Sequence, residues 1–84
     1  MTKQEFVVAW FRKRPNKKFS NGELEKLLRQ DYETEFGGDF RDPLREARKA
    51  HENGVIQRSP KGPGQVYWYD PSKPPRKLLK LRKH

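Results

Sequence analysis

The chain has no cysteine, one methionine and two histidines among 84 residues, and only 31% of it is apolar. Without cysteine there is no disulfide scaffold and no thiolate zinc site, a composition that suits a reducing compartment. His51 and His84 stand alone, without neighbouring ligands at metal-binding spacing, so neither metal nor cofactor is expected. No apolar run approaches the roughly 20 residues of a membrane-spanning helix. The opening Met1-Thr2-Lys3-Gln4-Glu5 lacks the apolar region of a secretory leader. Ser20 and Ser59 sit in no nucleophile elbow. Gly37-Gly38 and Gly62-Pro63-Gly64 lack the Lys-Ser/Thr and strand-to-helix setting of a nucleotide-binding loop. The acids form no recognisable nuclease set, so no enzymatic activity is expected.

Basic side chains are plentiful. Twenty Lys and Arg face eleven Asp and Glu, a net charge of +9. A basic domain of this size points first to nucleic acid, with a surface kept basic only for solubility as the alternative. The length suits a single domain, since an independent core needs about 50 residues.

With few apolar residues, five Phe, two Trp and three Tyr must supply most of the core. Thr2-x-x-Glu5 reads as a capping box, with Met1 and Phe6 as a hydrophobic staple. Phe6, Val7, Trp10 and Phe11 then give one apolar face, a helix over 3–13 that Pro15-Asn16 stops. The signature recurs at Ser20-x-x-Glu23, with Phe19 and Leu24 as its staple. Leu24, Leu27, Leu28 and Tyr32 predict a second helix over 21–33, ended by Gly37-Gly38. Lys17-Lys18-Phe19 has room for only a minimal strand. A third helix over 40–52 is expected, capped by Asp39 or Asp42, with Pro43 in its first turn and Asn53-Gly54 at its end. Val55–Ser59 and Val66–Tyr69 then read as two strands around a Gly/Pro-rich turn with Lys61 at its tip. Along the second strand, either Trp68 or the pair Tyr67 and Tyr69 faces the core, because alternate residues point to opposite faces.

Three helices followed by a β-hairpin is the order of a winged helix-turn-helix domain, and residues 2–70 resemble that α+β family. The sharpest match is the run Pro43 to Arg58, which looks like the family's recognition helix, a glycine and a short strand ending in Arg. Lys61-Gly62-Pro63-Gly64-Gln65-Val66-Tyr67 looks like the wing turn and its return strand. A narrower similarity links Asn16–Ser20, the Arg-rich third helix, Gly54-Val55-Ile56 and Gly64–Tyr67 to winged helices appended to restriction endonucleases, some of which read methylated bases. The resemblance implies a winged-helix domain over 1–71, with 72–84 as a basic C-terminal tail.

Charge position sharpens the expectation. From Phe19 to Asp39 there are six acids and two bases, net −4, whereas Arg41 to Lys61 holds six bases and three acids, net +3. With Phe40 as origin and about 100° per residue, Leu44, Ala47 and His51 fall on one helix face, and Arg41, Arg45, Arg48 and Lys49 on a second. A basic helix face of this kind suits a DNA major groove. Its plainer reading is a solvated face in which Asp42 or Glu46 pairs with Arg45 or Lys49. Arg58 and Lys61 would brace a duplex backbone. Lys17 and Lys18, clustered with Arg12, Lys13 and Arg14, serve either as phosphate contacts or as charges suited to a helix C-terminus. From Lys73 to Lys83 there are six bases and no acid, with Arg76 and Lys77 leading either a phosphate-tracking arm or a docking segment built on Leu78, Leu79 and Leu81. The expected function is double-stranded DNA binding, in transcription regulation, in the cytoplasm or nucleoid, or in the nucleus of a eukaryote. A protein-docking or RNA-binding role within a nucleoprotein assembly is the alternative. No membrane partner is expected.

Overall fold

The computed structural model describes residues 2–59 and 64–73, which form three helices and a three-stranded antiparallel sheet, an α+β fold. Helix α1 spans Lys3–Arg12 and starts from the expected capping box: Glu5 N–H donates to Thr2 Oγ1 at 3.1 Å, and Thr2 N–H donates to Glu5 Oε1 at 2.7 Å. Its buried face is Phe6, Val7, Trp10 and Phe11. Met1, the other half of the expected staple, lies outside the described residues.

Strand β1, Phe19–Ser20, leads directly into helix α2, Asn21–Phe36. Ser20 is both the last strand residue and the helix cap, and Glu23 N–H donates to its Oγ at 3.3 Å. Helix α2 runs three residues past its expected end. Tyr32 and Phe36 continue its inner edge as rings against Phe6, with centroids 5.2 and 5.8 Å away. Termination falls to Gly37, whose φ of 71° is a backbone state that favours glycine.

Helix α3 spans Pro43–Glu52, so the expected start at residue 40 is corrected. Asp42 is the cap, its Oδ1 accepting from Arg45 N–H at 3.1 Å, and Pro43 occupies the first turn, where an amide has no partner to lose. Phe40 lies ahead of the helix and is buried against Phe6 and Tyr32. Arg29 of α2 holds that segment, with Nε donating to Phe40 O at 3.0 Å and Nη2 to Arg41 O at 2.8 Å. The buried stripe of α3 is therefore Pro43, Ala47 and Ala50, with Leu44 and His51 at its margin. Small side chains at 47 and 50 let α3 lie against α1, its most extensive helix contact.

Strands β2, Gln57–Arg58, and β3, Val66–Trp68, are antiparallel, and β1 adds to the other side of β3, giving the order β1-β3-β2. Both hairpin strands are shorter than expected. Val55 and Ile56 are buried ahead of β2 as core residues, and Tyr69 leaves the ladder for a bridge to Pro15. The register sets Phe19 and Arg58 on either side of Tyr67, and Gln57 beside Trp68. Tyr67 is the buried residue of β3 and Trp68 is turned to the other face, which settles the alternation in favour of the tyrosines. Among the described residues no helix is long and apolar enough to cross a membrane.

Arg29 is a bridge no other residue type reproduces, because one planar fork serves two carbonyls. Arg29→Ala is expected to destabilise the domain by about 1–2 kcal/mol in urea unfolding, and Arg29→Lys to recover less than half of that. The α1 cap gives a pH signature. The Thr2 backbone N–H, followed by the Thr2 side chain, holds the Glu5 carboxyl below its ordinary 4.5. Its contribution is complete above that ordinary value and is lost as pH falls through the lower folded value. Urea midpoints followed between about pH 6 and pH 3 should fall less steeply in Glu5→Gln than in the parent chain.

Candidate nucleic-acid interface

With Pro43 as origin and about 100° per residue, the buried stripe of α3 faces one way and Arg48, Glu52, Arg45 and Lys49 face the other, across an arc of about 100°. All four are exposed. Arg41 does not belong to this face: it is exposed in the connection before the helix, and its carbonyl is one of the two that Arg29 holds. Glu46 is turned away from the face and its side chain is only 17% exposed. With its amide nitrogen toward α3, Gln4 of α1 donates to Glu46 Oε1 at 2.9 Å.

A groove of about 620 Å³ separates α3 from the hairpin. Arg48, Glu52 and Asp42 line its helix side, and Arg58, Gln65 and Tyr67 its strand side. The hairpin wall is pinned by Ser59, whose N–H donates to Val66 O at 3.0 Å and whose Oγ accepts from Val66 N–H at 2.9 Å. Gln65 Nε2 lies 3.5 Å from Tyr67 Oη, its donor distance to that hydroxyl. His51 Nδ1 is 3.2 Å from Ile56 O, a tie across the turn between α3 and β2 that gives this histidine a packed role.

The web of ion pairs that the plainer reading of this face requires is nearly absent among the described residues. Lys49 reaches Glu46 at 4.0 Å, while Asp42 is occupied in capping. Among the described residues no carboxylate lies within 4.0 Å of the Arg45, Arg48 or Arg58 guanidinium. These forks are open to a ligand.

The remaining residues singled out from the sequence are distributed elsewhere. Lys18 lies over Trp68, its Nζ 5.0 Å from the ring centroid, on the sheet face opposite Tyr67. Lys17 Nζ is 5.7 Å from the Phe19 ring. Neither lines the groove. Arg14, clustered with them in sequence, serves the fold. It covers the Trp10 ring at 4.1 Å, donates to Trp10 O at 2.9 Å and meets Asp31 at 3.4 Å. Asp31 also accepts from Trp10 Nε1 at 2.6 Å. Lys61, Arg76 and Lys77 lie outside the described residues.

Sequence reasoning did not single out Gln65 or Tyr67 as groove residues, and it gave Glu52 no role. Helical spacing already put Glu52 one turn after Arg48. Nothing in the linear pattern placed Gln65 opposite them, because that depends on how the hairpin docks. Among the described residues no group of three or more His, Asp or Glu side chains is arranged to hold a metal ion. Set against known proteins, the chain matches no family model, no curated protein and no solved structure.

Proposed function

We propose that this domain is a winged helix that binds double-stranded DNA, with α3 in the major groove and the β2–β3 hairpin along the neighbouring backbone. The observation that carries this reading is the set of open guanidinium groups, Arg45 and Arg48 on the outward face of α3 and Arg58 across the groove. Arginine forks reach guanine O6 and N7 or grip phosphate, and a helix has the width to enter the major groove. The element order α1-β1-α2-α3-β2-β3 and the sheet order β1-β3-β2 support the winged-helix assignment. The acids of α2 fit a one-sided approach, since a polyanion meets α3 and turns α2 away.

In this reading Arg45, Arg48 and Lys49 read or position the duplex, Arg41 sits at the head of the helix, and Arg58 braces the backbone. Lys61, Arg76 and Lys77 are further phosphate contacts. Lys18 approaches flanking phosphates from the sheet face opposite Tyr67, and Lys17 from beside Phe19. Docking to another protein is the second reading, favoured by Phe36, which is 45% exposed on acidic α2.

Duplex affinity is expected to fall linearly in log K against log salt. Arg45→Ala with Arg48→Ala should weaken binding to a mixed-sequence duplex at least several-fold and make the salt slope shallower by about 1–2. Fluorescence anisotropy on duplex DNA, single-stranded DNA and structured RNA at two salt concentrations makes the measurement. Unchanged duplex affinity in the double variant removes α3 from the interface. Equal affinity for all three nucleic acids leaves only generic polycation binding.

A further inference from the structure

Glu52 is out of place for either helix stability or phosphate binding. It ends α3, where the helix dipole disfavours negative charge, and no cation of the described residues lies within 4.0 Å of it. Its position on the outward face sets it between Arg48 and Arg45, at about 100° per residue. It also lines the groove with Arg48, Arg58 and Gln65. The other acid of that groove, Asp42, is accounted for by its cap on α3. A carboxylate on this surface repels every phosphate that the arginines attract, so it lowers affinity for a duplex that offers it no donor.

Two base edges offer a donor to a carboxylate at the floor of the major groove, cytosine N4 and adenine N6, and adenine sets its N7 acceptor beside that donor, where it repels the second carboxylate oxygen. The cytosine N4 amino group is a donor, and an ionised carboxylate is acceptor-only. Guanine presents O6 and N7 as acceptors in the same base pair, and an arginine fork matches both. Arg48 and Glu52 are four residues apart on one helix, so their side chains are neighbours about 6 Å apart at Cβ. We infer that Glu52 is a specificity-determining residue that accepts from a cytosine N4 amino group, with Arg48 on guanine in the same or the adjoining pair. This rests on the duplex-binding reading above and adds to it a base identity.

Glu52 thus contributes discrimination by penalising the alternatives. Against adenine–thymine pairs at that position the carboxylate meets adenine N6 only beside the N7 acceptor and Arg48 finds no O6/N7 pair, which is selection by an unfavourable contact as well as a favourable one. Arg58 and Gln65 line the other side of the groove.

The test is selection from a random-sequence duplex pool, with binding of individual duplexes then measured for the parent chain, Glu52→Gln and Glu52→Ala. Circular dichroism confirms that each variant is folded; Glu52 is exposed at a helix end, so the fold tolerates both. The parent is expected to enrich a cytosine–guanine pair at one position, preferring it by about 5- to 100-fold over adenine–thymine. Glu52→Ala should bind the pool at least as tightly and lose that preference. N4-methylcytosine at the same position should weaken the parent and leave Glu52→Ala unchanged. Identical base preference in parent and Glu52→Ala, with a uniform gain in affinity, overturns the inference and leaves duplex binding standing. Failure of the parent to bind any duplex at low salt overturns the underlying reading, and the inference with it.

Discussion

The burial of Phe19 between helix and sheet governs the arrangement of everything else. Its ring lies 4.8 Å from Trp10 and 6.0 Å from Phe11, so β1 is clamped to α1. The same residue is in register with Tyr67, the buried residue of β3. Because side chains alternate across a strand, fixing Phe19 and Tyr67 inward sends Trp68 and Lys18 to the opposite face. It also turns Arg58, the other partner of Tyr67, to the helix side. A core of few apolar residues thus sets the hairpin's orientation, and the hairpin's orientation makes the groove beside α3.

Polar side chains then fix what the aromatic core leaves adjustable. Arg29 spans from α2 to the carbonyls of Phe40 and Arg41, holding the connection from which Asp42 caps α3. Asp31 joins Trp10 and Arg14, tying α2 to the end of α1. The acids of α2 are therefore not a uniform solvated face, since Asp31 and Glu25 have partners on the protein. Their consequence for a ligand is nonetheless a molecule with unlike charge on different sides.

The candidate interface is less basic than the overall charge of +9 suggests. In the groove Arg48 and Arg58 are set against Asp42 and Glu52. A purely electrostatic binder gains nothing from such a balance. A surface that distinguishes one base edge from another needs acceptors as well as donors, and the groove holds both in carboxylates, an amide and a phenol. Proposed affinity rests on the arginines of this small surface, and proposed selectivity on Glu52 acting beside Arg48.

Local signals carried much of this fold. Thr2-x-x-Glu5, Ser20, Pro43 and Gly54 are where the structure puts helix starts and the last turn's end, because caps depend on atoms within three or four residues of one another. The order of three helices and a hairpin followed from the change of apolar period along the chain. Tertiary packing decided the rest. The pull of Phe40 into the aromatic core and the Arg29 fork moved the start of α3 to Pro43 and took Arg41 off its face. Docking of β3 between β1 and β2 brought Gln65 and Arg58 to Arg48 and Glu52, and left Lys17 and Lys18 apart. Caps and periodicity are written in neighbouring residues, whereas a groove between distant segments exists only once the core has chosen how they meet.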